Sequence, residues 1–195
     1  MKRIGLFGGT FDPVHNAHVA LARSARDDLA LDHVRWVPAG QPWQKQRPLT
    51  PAVHREAMVR LAIEGEPRFV LDRIELERAG PSYTLQTVQE LQAREPGSEW
   101  FLVIGQDQYA RIDSWRDAAQ WRSDVTFAVA ARDGQPPRPP SGWSASNHRH
   151  VVLPLPEHPV SATRIRQMIA AGQAVDALVG PAVARYIAQH HLYRP

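Results

Sequence analysis

Gly8-Gly9-Thr10-Phe11-Asp12-Pro13-Val14-His15-Asn16-Ala17-His18 follows the apolar run Ile4-Gly5-Leu6-Phe7 and leads into an amphipathic stretch carrying Val19, Leu21, Ala22, Ala25 and Leu29. The run reads as a strand, the paired glycines as a tight turn and the apolar repeat as a helix. Small residues at such a turn let backbone N–H groups approach an anion, and the helix start adds its partial positive charge. Residues 8–11 therefore outline a phosphate site. It is neither a P-loop, since Gly-x-x-x-x-Gly-Lys-Ser/Thr is missing, nor the Gly-x-Gly-x-x-Gly dinucleotide fingerprint. His15 and His18 are three residues apart, so on a first helical turn both imidazoles face one way and can hydrogen-bond the oxygens of one polyphosphate. A solvated pair or a weak metal site is the alternative; a zinc site would want a third ligand, and the pattern His-Glu-x-x-His is absent.

Working outward, Val34-Arg35-Trp36-Val37 supplies a second strand. The β-α-β opening that results is expected to cross over right-handed and to give parallel strands. A polar, proline-punctuated loop covers 38–51. The pattern then predicts a helix over 52–63, a strand over 69–76, a helix over 84–93, a strand at 100–104 ending in Gly105, an apolar strand in 125–131, another at 151–153, and helices over 162–171 and 181–190. Between the last strands, the proline-rich 133–142 reads as a surface excursion. Strands alternating with helices predict one domain over 1–195: a Rossmann-like open parallel α/β sheet, helices on both faces, ligands at the carboxyl ends of its strands.

Composition narrows the function. Hydrophobic residues are 43% and charged residues 22% of 195, as in ordinary globular proteins. There is no cysteine, which excludes disulfides, thiolate zinc sites and cysteine nucleophiles. No apolar run approaches the roughly 20 residues that span a bilayer, so a cytoplasmic protein with no membrane partner is expected. Lys and Arg number 23 against 20 Asp and Glu, and the basic residues are spread out rather than massed in a run. That argues against nucleic acid as a partner and suits a small phosphate-bearing ligand.

A second segment, Val160-Ser161-Ala162-Thr163-Arg164-Ile165-Arg166, puts two hydroxyls at a predicted helix start. Ser161 is a natural N-cap, and an ordinary cap with solvated arginines is one reading of it. Taken with the first segment, however, it is similar to a known pair of motifs. The glycine–histidine stretch resembles the signature of the cytidylyltransferase-like nucleotidylyltransferases, and is closest in wording to the bacterial nicotinate mononucleotide adenylyltransferase family. The family's His-x-Gly-His stands here as His15-Asn16-Ala17-His18. Residues 160–166 resemble its Ile-Ser-Ser-Thr-x-Ile-Arg motif, with Val160 for Ile and Ala162 for the second Ser.

The resemblance, which covers essentially the whole chain, implies the following. AMP passes from ATP, with Mg²⁺ as cofactor, to nicotinate mononucleotide, giving nicotinic acid adenine dinucleotide and pyrophosphate in NAD biosynthesis. His15, His18, Lys45 and Arg166 neutralise charge during transfer. ATP is held by Gly8, Gly9, Thr10, Phe11, His15, His18, Gly105, Asp107, Ser161, Thr163 and Arg166, with Asp107 on the adenosine ribose. The acceptor is read by Asp12, Lys45, Ser82, Tyr83, Thr84 and Trp115, the tryptophan stacking on the pyridine ring while amides near Thr84 receive its carboxylate. By themselves Thr84 could equally be a helix cap, Trp115 a core aromatic, and Lys45 and Asp107 solvated charges. Nicotinamide mononucleotide or phosphopantetheine as acceptor, or nucleotide binding without chemistry, are the alternatives, and a homo-oligomer is left open.

Overall fold

The computed structural model describes residues 1–42, 48–131, 137–144, 147–154 and 160–194. In chain order these form β1 (Arg3–Gly9), α1 (Asn16–Asp28), β2 (His33–Pro38), α2 (Ala52–Ala62), β3 (Phe69–Leu71), α3 (Ile74–Glu77), α4 (Thr84–Arg94) and β4 (Glu99–Gly105). There follow α5 (Gln106–Tyr109), a single 3-10 turn at Ile112–Ser114, α6 (Ala118–Trp121), β5 (Thr126–Ala130), β6 (Arg149–Leu153), α7 (Ala162–Ala170), α8 (Asp176–Val179) and α9 (Pro181–Gln189). The six strands make one sheet in the order β3-β2-β1-β4-β5-β6. Every neighbouring pair is parallel.

Period-two alternation places a core on each face of the sheet. Along β4, Phe101 and Val103 join Val19, Ala22, Met58, Ile165 and Ile187, from the α1, α2, α7 and α9 side. Trp100, Leu102 and Ile104 point the other way, to Val88 and Leu91 of α4 and to Tyr109 and Trp121. Complete burial of one such side chain contributes roughly 1.5–3 kcal/mol, so each face is held by many such terms. This is the Rossmann-like α/β arrangement expected from the strand–helix alternation.

The strand expected over 69–76 is shorter than the pattern implied. Pairing stops at Leu71, because the Asp72 carboxylate accepts the Ile74 N–H at 3.0 Å and turns the chain into the short helix α3. A local side-chain-to-backbone bond has overridden an apolar run there. The order of strands reverses between β1 and β4, so the crevice beyond Gly9 and Gly105 is the switch point where ligands of open parallel sheets bind.

Candidate active site at the switch point

The glycine turn is built by what lies beneath it. Phe11 adopts φ +50° and its ring is 2% exposed, lying edge-on to Phe7 at 5.5 Å and to His18 at 5.1 Å. A Cβ on Gly9 would come within 2.9 Å of the Phe11 ring, so only glycine fits there. The Phe11 side chain thus shapes the turn from below, and any contact it makes with a nucleotide in the crevice falls to its backbone. Thr10 directs its carbonyl downward, where it accepts from Arg55 Nη1 at 2.9 Å.

His15 and His18 come together as the spacing implied. His15 caps α1, and its backbone N–H donates to His18 Nδ1 at 3.1 Å. The rings stack with centroids 3.7 Å apart. Because Nδ1 of His18 is an acceptor, its proton sits on Nε2, which makes His18 a neutral N–H donor. Burial, and secondarily the neighbouring His15, hold its pKa well below the usual histidine range, which keeps it in that form at neutral pH.

The serine–arginine segment is fastened to the glycine turn. Ser161 N-caps α7, its Oγ accepting the Arg164 N–H at 3.3 Å. From one helical turn on, Arg166 donates from Nη2 to Thr163 Oγ1 at 3.1 Å and from Nη1 to the Asp12 carbonyl at 2.8 Å, across 154 residues of sequence. Asp12 is itself 2% exposed, and its Oδ1 accepts the Tyr193 hydroxyl at 2.7 Å. A carboxylate so buried supports the turn rather than presenting itself to an acceptor in the crevice.

At the neighbouring strand ends, Gly105 N-caps α5 and Asp107 is exposed in its first turn. Ser82 holds the chain that leaves β2: its Oγ accepts the N–H groups of Gly40 at 3.0 Å and Gln41 at 3.3 Å. It also bonds the buried Glu75 carboxyl, to which the Thr87 hydroxyl donates at 2.7 Å. Burial raises the Glu75 pKa, and these hydrogen bonds oppose the rise. Gly40 lies so close that a Cβ would fall on the Glu75 carbonyl oxygen. Tyr83 is the N-cap of α4 and Thr84 the first residue inside it, so Thr84 is not the cap. The Arg116 guanidinium lies 4.6 Å over the Tyr83 ring. Trp115 is half-buried beside Trp121, with ring centroids 6.3 Å apart. Lys45 lies outside the described residues.

Two residues join the site that the motifs did not indicate. Arg55 is 1% exposed and donates to three carbonyls: Thr10, Thr50 at 3.0 Å and Gly40 at 3.2 Å. It stands in helical register with buried Met58 and Val59, and an arginine on the apolar stripe of a helix was the signal for it. Tyr193 had no such signal, since its partner Asp12 is 181 residues away. Among the described residues no group of three or more His, Cys, Asp or Glu is placed to hold a metal ion.

An all-parallel sheet in this order, with glycines and helix starts gathered at its switch point, defines the Rossmann-like class of nucleotide-handling α/β proteins. The chain belongs to the cytidylyltransferase-like family, whose model matches residues 6–168. It is similar along its whole length to a "probable nicotinate-nucleotide adenylyltransferase" of Methylibium petroleiphilum, at 52% identity covering 100% of this chain and 93% of that one. A protein of the same printed name from Bordetella pertussis is 45% identical, covering 100% and 99%. In fold it resembles a Plasmodium falciparum nicotinic acid mononucleotide adenylyltransferase complexed with NaAD, with a TM-score of 0.80 at 17% identity over 99% of this chain and 98% of that one.

Proposed function

We propose that this protein transfers the AMP part of ATP to nicotinate mononucleotide, releasing pyrophosphate and forming nicotinic acid adenine dinucleotide, a step of NAD biosynthesis. The observation that carries the reading is the bond from Arg166 to the Asp12 carbonyl, which joins the arginine helix to the glycine turn at the switch point. Relatives that match the full chain and are named for this reaction support the choice of acceptor.

A phosphate monoester is a nucleophile at neutral pH. An oxygen of the acceptor's 5′-phosphate attacks the α-phosphorus of ATP in line; the new P–O bond forms as the bond to the β-phosphate oxygen breaks, and pyrophosphate leaves. No covalent enzyme intermediate is needed, so the protein's task is to position two anions and meet the charge that develops. Neutral His18 offers Nε2–H without adding a charge, while His15, Arg166 and Lys45 complete the set. The amides of residues 8–11 and the start of α7, with Ser161 and Thr163, hold the phosphates. Gly105 and Asp107 border the adenosine ribose. Tyr83, Thr84 and Trp115 face the acceptor, with Ser82 and Asp12 supporting the loops around it.

The donors here are N–H and O–H groups rather than a carboxylate cage, which fits a Mg²⁺ ion carried on the nucleotide phosphates and water. Bound there, it would neutralise part of the phosphate charge. The test is pyrophosphate release from ATP and Mg²⁺ with nicotinate mononucleotide, nicotinamide mononucleotide and phosphopantetheine in parallel. Preference for the first is expected. Preference for another keeps the chemistry and overturns the acceptor, and silence with all three despite saturable ATP binding overturns catalysis.

A further inference from the structure

We infer that Tyr193 is a positioning residue for adenylyl transfer, its hydroxyl fixing the phosphate turn through Asp12. The inference rests on the ATP site proposed above, but its geometry stands on the described residues alone.

The Tyr193 hydroxyl donates to Asp12 Oδ1 at 2.7 Å, and the side chain of Thr50 hydrogen-bonds the same hydroxyl. Asp12 and Thr50 are both anchors of the site's backbone. The Asp12 carbonyl takes Arg166, and the Thr50 carbonyl takes Arg55, which also grips the carbonyls of Thr10 and Gly40. One phenol therefore ties the glycine turn to the foot of α2, at the two points where the arginines hold them. Its surroundings match that task. Burial pushes the Tyr193 hydroxyl pKa up, so it remains a proton donor at any ordinary pH, as a partner for a buried carboxylate must.

Backbone conformation points the same way. Tyr193 sits at φ +63°, and Phe11, next to its partner Asp12, sits at φ +50°. Side chains other than glycine hold such left-handed conformations only where the surroundings over-determine them, and they gather at functional sites. Here they lie on both sides of a single hydrogen bond. A tyrosine kept only for core packing would need its ring and not its hydroxyl, and a phenylalanine would serve.

The hydroxyl is removed by Tyr193→Phe, and the protein is assayed well below its melting temperature. A misplaced turn weakens binding and transfer together, so kcat/KM for ATP should fall about 5- to 30-fold while KM for the acceptor stays within about twofold. Calorimetry of ATP binding without acceptor should show the same direction. A folded variant with kcat/KM for ATP within about twofold of the parent overturns the inference, since preorganisation is worth more than that. In a double-mutant cycle on kcat/KM, Asp12→Ala and Tyr193→Phe together should cost little more than the worse single change, and full additivity would overturn the link. Should Tyr193→Phe fail to fold, Thr50→Val still tests it, because it removes the other hydrogen bond to the same hydroxyl: kcat/KM for ATP should fall in the same direction, and an unchanged value in the folded variant counts against the inference. If the parent protein transfers AMP to no acceptor yet Tyr193→Phe weakens ATP binding, the reaction is misread and the positioning role stands.

Discussion

The two sides of the crevice are built differently. On the phosphate side, Asp12, His15 and Arg55 are each less than 8% exposed, and bonds from Arg55, Arg166 and Tyr193 reach the turn from three separate parts of the chain. On the proposed acceptor side, Tyr83 and Trp115 are half-buried and Arg116, which covers Tyr83, is exposed. Ser82, through Glu75 and Gly40, ties that side to buried structure, and the Tyr83 carbonyl accepts from the buried Thr87 N–H at 3.2 Å. The triphosphate is the constant partner of the proposed reaction, and its side is preorganised. The acceptor's side is shaped by surface contacts that small sequence changes can move.

The contrast predicts where damage is greatest. His18→Ala should lower kcat about 10²-fold or more in a folded protein, since it removes one preorganised donor; unchanged turnover would deny His18 its role. Arg55→Met leaves three carbonyls without their donor and should cost about 3 kcal/mol of stability, read from urea midpoints. Ser82→Ala should raise the acceptor KM by about threefold to tenfold, with a loss of about 1 kcal/mol in stability, and leave KM for ATP nearly unchanged. If it is ATP binding that suffers, the two sides are not separate. Arg116→Gln should change the acceptor KM by less than about fivefold, as befits an exposed cation over a ring.

The smallest effect is one of pH. His18 binds its proton less readily folded than unfolded, so above the ordinary histidine pKa of 6.5 it contributes nothing to pH dependence. As pH falls below that value the unfolded chain takes up the proton first, and stability declines. His33 and His148 are lowered too, chiefly by burial, and act with the same sign. Urea midpoints between about pH 5 and 7 should therefore slope less in His18→Gln than in the parent protein, and equal slopes would mean His18 is not desolvated.

What could be read from sequence was local. The β1–turn–α1 unit follows from a glycine pair between a short apolar run and a period-3.6 pattern, and Ser161 from its place at the start of an amphipathic helix. His15 and His18 meet because His15 caps α1 and its N–H donates to Nδ1 of His18 in the first turn. The strand expected over 69–76 ends early because the turn-making bond of Asp72 is invisible in an apolar average. The supports of the site were hidden for another reason. Tyr193 meets Asp12, and Arg166 its carbonyl, only once the sheet has brought distant helices together, so no window of sequence contains either pair. Motifs therefore pointed to residues for the crevice, while in the structure the Phe11 ring lies under Gly9, the Asp12 carboxylate accepts the Tyr193 hydroxyl and Ser82 Oγ accepts the N–H groups of Gly40 and Gln41.

The span of those bonds also bears on synthesis. The glycine turn leaves the ribosome first, but Arg166 follows it by 154 residues and Tyr193 by 181. A growing chain thus meets Arg55 first, 45 residues after the turn, and gains the bonds from Arg166 and Tyr193 only once the helices that carry them have emerged.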